Sequence, residues 1–179
     1  MSSPAPASLH ARSRDVRYRV VVLSPGVVDV VRAAAGWLFD RAWAGCDVTA
    51  LISDHDDDRP LRIVGATTFD LETALASEVH TVEPDVLLVA ADLYQGDARV
   101  RHGVLDTIAL GMTNVLMWGQ AWPTELEGLM SPAQHRLSVA ARAFKAQALT
   151  AAGCPRAAEP SEMFRGLDLR ACRTLVTAS

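Results

Sequence analysis

The sequence predicts a single three-layer α/β/α domain with a mostly parallel central sheet of about five strands, flavodoxin-like or Rossmann-like. Three observations carry that expectation. Pro84-Asp85-Val86-Leu87-Leu88-Val89-Ala90-Ala91-Asp92 is an unbroken apolar run entered through Pro-Asp and left through an acid. A strand apolar on both faces must be covered on both faces, as at the centre of a parallel sheet flanked by helices. Strand-like and helix-like segments then alternate along the chain, which is the succession expected of βαβ units. Finally, 179 residues, half of them hydrophobic, suffice for one domain with a substantial core and leave little room for two.

Residues 1–16 are rich in Ser, Pro and Ala, lack an apolar period, and read as a disordered arm ahead of a domain spanning 17–179. Arg17 to Leu23 supplies the first strand. Ser24-Pro25-Gly26 follows, with Ser24 placed to cap a helix and Pro25 at its first position, where a missing N–H costs nothing. The helix runs to about Ala44, with Asp29, Arg32, Gly36 and Asp40 on one narrow stripe and apolar residues elsewhere. So wide an apolar face suggests contact with a second surface, either another element of the same domain or another subunit, and Trp37 and Trp43, on its flanks, are the candidate interface of a homo-oligomer.

Gly45 ends that helix and Cys46 to Ile52 forms the second strand, closing a right-handed crossover. Ser53 to Pro60 is an acidic loop. Leu61 to Val64 is expected to pair back as an antiparallel edge strand, and Thr67 or Thr68 to cap a helix reaching about Val82. The central strand at Asp85 to Ala91 is third. A turn at Tyr94-Gln95-Gly96-Asp97, a helix from Arg99 to Leu110 and a strand from Thr113 to Trp118 follow. Ser131-Pro132 is read as the cap of a long helix ending at Gly153, and Thr174 to Thr177 as a fifth strand. The expected strand order is 2-1-3-4-5.

Composition narrows the function classes. The net charge is -4 although residues 1–19 hold four arginines against one aspartate, so the body is acidic and nucleic acid is not its expected main partner. Three cysteines without metal-like spacing, and no secretory pattern ahead of them, suggest a reduced, cytoplasmic chain. The longest apolar stretch, 27–39, contains Asp29 and Arg32 and falls far short of the ~20 residues that span a bilayer.

In an open parallel sheet, ligands sit beyond the carboxyl ends of the strands, where neighbouring connections diverge. That rule selects Ser24 and Gly26 after the first strand, Asp92, Tyr94 and Gln95 after the third, and Gln120 and Trp122 after the fourth. The Ser24–Gly26 turn points helix N–H groups at the crevice, which suits a small anionic ligand. Trp122 offers a ring for stacking. Asp54 to Asp58 reads as a solvated acidic loop, because consecutive aspartates do not converge on one cation; no metal and no cofactor are expected.

Leu61-Arg62-Ile63-Val64-Gly65, the helix carrying Glu72-Thr73-Ala74-Leu75-Ala76, and Pro84-Asp85-Val86-Leu87-Leu88-Val89 together resemble a response-regulator receiver domain over about a third of the chain. Relative to that family the phosphoacceptor position holds Ala90, with Asp92 two residues on. Leu23-Ser24 replace the paired acids, Met117 or Trp118 the hydroxyl residue, and no lysine lies near the last strand. The resemblance therefore implies a phosphorylation-independent relative: a non-catalytic regulatory module that docks a protein or small ligand at the carboxyl ends of its strands. Two alternatives stand beside it. One is an enzyme that holds a nucleotide or other phosphorylated molecule at Ser24–Gly26, with Asp92 or the acidic loop as base or cation ligand; the other is a structural subunit of an assembly.

Overall fold

In the computed structural model, which describes residues 17–54, 56–77, 83–120 and 122–167, the central strand β4 (Val86–Ala90) is buried along its whole length. Val86, Leu88 and Ala90 point into one core while Leu87 and Val89 point into the other, as the two-residue period of a strand requires. The first core is closed by α1 (Val27–Trp43), α2 (Arg59–Ile63) and α6 (Val139–Ala151). The second is closed by α3 (Leu71–Ala76), α4 (Ala91–Gly96) and α5 (Ala98–Leu110).

Among the described residues seven strands form one sheet in the order β3-β2-β1-β4-β5-β7-β6. The parallel part consists of β1 (Arg19–Gly26), β2 (Asp47–Asp54), β3 (Thr67–Asp70), β4 and β5 (Asn114–Trp118). An antiparallel pair, β6 (Met130–Arg136) and β7 (Ser161–Leu167), joined through α6, extends it past β5. The single α/β domain is as expected, but the count and order of strands are not those of a five-stranded 2-1-3-4-5 sheet. The four strands β2-β1-β4-β5 keep the expected neighbours, and three others surround them. The expected strand at 174–177 lies outside the described residues.

Each local departure has a physical cause. Residues 61–63 belong to a short helix that Val64 caps, with Pro60 in its first turn, where the missing N–H is harmless, so the sheet edge passes to Thr67–Asp70. Thr67 and Thr68 are strand residues, and the helix after them is capped by Asp70, whose carboxylate accepts from the Thr73 amide at 2.6 Å. That helix ends at Ala76, where Ser77 turns extended, short of the expected Val82; residues 78–82 lie outside those described. Tyr94-Gln95-Gly96 completes the helix α4 rather than a turn. Ser131-Pro132 lies in β6, which tolerates proline because no strand among the described residues pairs with its outer side; the true cap of α6 is Ser138, which accepts from the Ala141 amide at 3.0 Å.

The link between β6 and α6 is pinned to α1 through Asp40. Its Oδ2 meets His135 Nε2 at 2.8 Å and accepts from the Ser138 amide at 3.3 Å. Partial burial works against ionisation, but hydrogen bonds from Ser138 and His135 outweigh it and hold the carboxyl below its ordinary value. A depressed folded value means the stabilisation is complete above the ordinary 3.8 and is lost as pH falls through the lower folded value. Asp40→Asn is therefore expected to flatten the acid limb of a stability–pH curve measured by urea unfolding; an acid limb unchanged from wild type would contradict this.

Candidate active site

The chain leaves β1 into α1 on one side of the sheet and leaves β4 into α4 and α5 on the other. Between neighbouring β1 and β4 the connections thus diverge, and a crevice opens at their carboxyl ends. It encloses about 520 Å³ and is bounded by Pro25, Asp29, Arg32, Ala90, Asp92, Trp118, Gly119 and Gln120. Asp29 lies in the first turn of α1 and Asp92 in the first turn of α4, each at the end of a helix where backbone N–H groups favour a carboxylate. Gly119 turns the chain away from β5 with φ 131°, and an added Cβ would come within 3.0 Å of Ala91 Cβ. A bare backbone is therefore required at that wall.

A second recess of about 310 Å³ shares Asp29 and is bounded by Gly26, Asp54, Asp56 and Asp57. A third hollow contains Tyr94, Gln95, Arg101, Trp122 and Glu125. There the Tyr94 hydroxyl donates to Glu125 Oε1 at 2.7 Å, and Arg101 stands 3.3 Å from the same carboxylate. Burial, with the adjacent Glu125, pushes the Tyr94 hydroxyl far above its ordinary range, so it remains a proton donor. Trp122 carries the Arg165 guanidinium 4.5 Å above its ring, which takes one of its two faces.

The anticipated site residues are thus dispersed. Asp92 and Gln120 share the crevice, while Gly26 borders the acidic recess and Tyr94, Gln95 and Trp122 border the hollow beyond. Ser24 is fully buried and its hydroxyl donates to the Gly26 carbonyl at 3.1 Å, so it neither caps α1 nor faces a ligand. Gly26 is the N-cap, with Asp29, Asp54, Asp56 and Asp57 around the adjoining recess. That negative field opposes a phosphate, which removes the basis for a phosphorylated ligand at Ser24–Gly26. Trp37 is 4 % exposed and packs on Phe164, so it presents no interface, whereas Trp43 is 82 % exposed.

Asp29 and Arg32 were legible only as a polar stripe. Their spacing of three on the helix that directly follows β1 is the signal that places both at the carboxyl edge. A larger hollow, about 720 Å³, opens at the opposite edge of the sheet among Arg17, Arg19, Trp43, Arg62 and Phe69. The smaller crevice is the better candidate for chemistry, because it lies at the divergence of connections and brings two carboxylates and a guanidinium together. Among the described residues no three His, Cys, Asp or Glu are grouped to hold a metal ion, and the crevice's own pair of carboxylates is short of such a cage. No helix among them is long and apolar enough to cross a membrane.

No family model and no curated protein sequence matches the chain. Its fold is nevertheless shared with enzymes of known structure. A teicoplanin-biosynthesis deacetylase in complex with teicoplanin superposes with a TM-score of 0.58 at 10 % identity, over 83 % of this chain and 98 % of that one. A deacetylase of an antimicrobial pseudoaglycone gives 0.56 at 16 % identity, over 75 % and 81 %. The 4-carboxy-2-hydroxymuconate hydratase of Pseudomonas putida gives 0.54 at 11 % identity, over 84 % and 95 %. At these identities the likeness establishes the fold. It corrects the receiver resemblance, which rested on a succession of elements common to many α/β sheets and did not anticipate the antiparallel β6–β7 pair or the edge strand β3. With the receiver resemblance goes the basis for reading a non-catalytic regulatory module, and the similar structures are those of deacetylases and a hydratase.

Proposed function

We propose that this chain is a hydrolase that removes an acyl group from a polar amide in the crevice between β1 and β4. The observation that carries the reading is that Asp29, Arg32 and Asp92 all bound the one crevice at that divergence point, on a fold shared with deacetylases. Amide hydrolysis needs a base for water, positive charge for the oxyanion and an acid for the leaving nitrogen. Two carboxylates and one guanidinium supply that set. In this scheme Asp92 takes a proton from water as the water oxygen bonds to the carbonyl carbon, Arg32 stabilises the oxyanion, Asp29 orients the water from the facing wall, and the Asp92 carboxyl returns its proton to nitrogen as the C–N bond breaks. The products are a carboxylic acid and a free amine. None of these three side chains is paired with another described residue, so none must be released before it meets a substrate.

The test is release of acetate and amine from a panel of N-acetylated amino sugars and acylated glycopeptides. Asp92→Asn is expected to lower turnover by about 10²–10⁴-fold with the circular dichroism spectrum unchanged. Absence of turnover by the wild type across the panel, or full activity of the Asp92→Asn variant, would sink the scheme. The P. putida hydratase also uses water as a reactant, so unsaturated carboxylates belong in the same panel.

A further inference from the structure

Lys145 is the only lysine of the chain, and it is buried with Glu162. Its Nζ donates to a Glu162 carboxylate oxygen, Oε1, and also to the backbone carbonyl of Arg32 at 2.8 Å. Glu162 Oε1 accepts in addition from the Gly36 amide at 3.0 Å, and Oε2 from the Trp37 amide at 2.7 Å. The Arg32 carbonyl and the Gly36 amide are the i and i+4 groups of one turn of α1. An ammonium from α6 and a carboxylate from β7 therefore hold both ends of the same turn in the middle of a helix.

Stability is a weak explanation for such a pair. Removing two charges from water costs more than their attraction commonly returns, and an apolar pair of similar volume often serves as well. Geometry offers a better one. Gly36 lacks a side chain where a Cβ would stand 2.5 Å from a Leu137 methyl, so this turn lies pressed against the start of the α6 segment. The residue whose carbonyl Lys145 holds is Arg32, whose side chain bounds the crevice, and Asp29 lies one turn earlier.

We propose that Lys145 and Glu162 are positioning residues that set the crevice half of α1, and with it Asp29 and Arg32, against Asp92 and Gly119 on the opposite wall. The inference rests on the crevice being the reaction site, but its structural part is testable without a substrate. In the Lys145→Met/Glu162→Leu double variant of the full chain both charges are gone, and the fold is expected to persist. Amide resonances of residues 29–33 and of Asp92, Gly119 and Gln120 should move in ¹H–¹⁵N spectra. Changes confined to the immediate neighbours of positions 36, 37, 145 and 162 would overturn the proposal.

If the double variant does not fold, Glu162→Asp decides. It keeps the charge but is one methylene too short to reach Nζ and both amides, and unmoved crevice resonances in that variant would likewise overturn the proposal. Where an acylated amine is turned over, kcat should fall about 10–100-fold with KM little changed, as expected when catalytic groups are displaced rather than removed. Moved crevice resonances in a chain whose wild type turns over no acylated amine would uphold the positioning role and reject the hydrolase reading alone.

Discussion

Glu162→Leu on its own is expected to destabilise the chain by about 3–5 kcal/mol, because it strands the Lys145 ammonium in the core without its counter-charge. It also removes the acceptor of the Gly36 and Trp37 amides. Adding Lys145→Met to that variant should restore much of the loss, since the second change removes the stranded charge. Urea unfolding of the two single variants and the double variant forms a closed cycle, and the coupling between the positions should be large and favourable to the pair. A Glu162→Leu variant within about 1 kcal/mol of wild type would show that the buried carboxylate is not what satisfies Lys145.

Trp37→Ala is expected to cost about 3–5 kcal/mol, the range found when a large buried aromatic is truncated. Trp37 packs against Phe164 with ring centroids 5.9 Å apart and carries the Arg41 guanidinium 5.3 Å from its ring. Trp43, six residues on in the same helix, stacks on Phe39 but is otherwise open to solvent, and its truncation is expected to stay within about 0.5–1 kcal/mol. Equal costs at the two positions, read from thermal or urea unfolding, would contradict this division. Both tryptophans looked alike as flanks of one apolar helix face. What separates them is the far end of the chain: β7 brings Phe164 over Trp37, and nothing among the described residues covers Trp43 to the same degree.

That contrast recurs through the molecule. The central strand Val86–Ala90, the helix after β1 and the helices of 98–110 and 139–151 were legible because burial imposes a period on consecutive residues. The segment 59–76 was not. Pro60 and Asp70 decide its short helices, but the threonines between them suit either a cap or a strand, and only pairing with β2 selects the strand. Ser131-Pro132 has the form of a helix start and sits instead in an edge strand, because β7 is there to pair with it.

The candidate site divides in the same way. Asp92 and Gln120 could be placed from the rule that ligands sit beyond strand ends, and both bound the crevice. Ser24 obeyed the same rule and is buried, since β1 continues through it to Gly26. By itself the sequence determined an α/β domain around a doubly buried strand and the edge of the sheet at which to look for chemistry, because both follow from the spacing of apolar side chains along the chain. Only the tertiary structure decided which polar groups meet. Arg32 and Asp92 come to bound one crevice from α1 and α4, and Glu162 reaches the Gly36 amide from 126 residues away. Such contacts arise from strand order and helix packing, which bring together residues that share no local pattern.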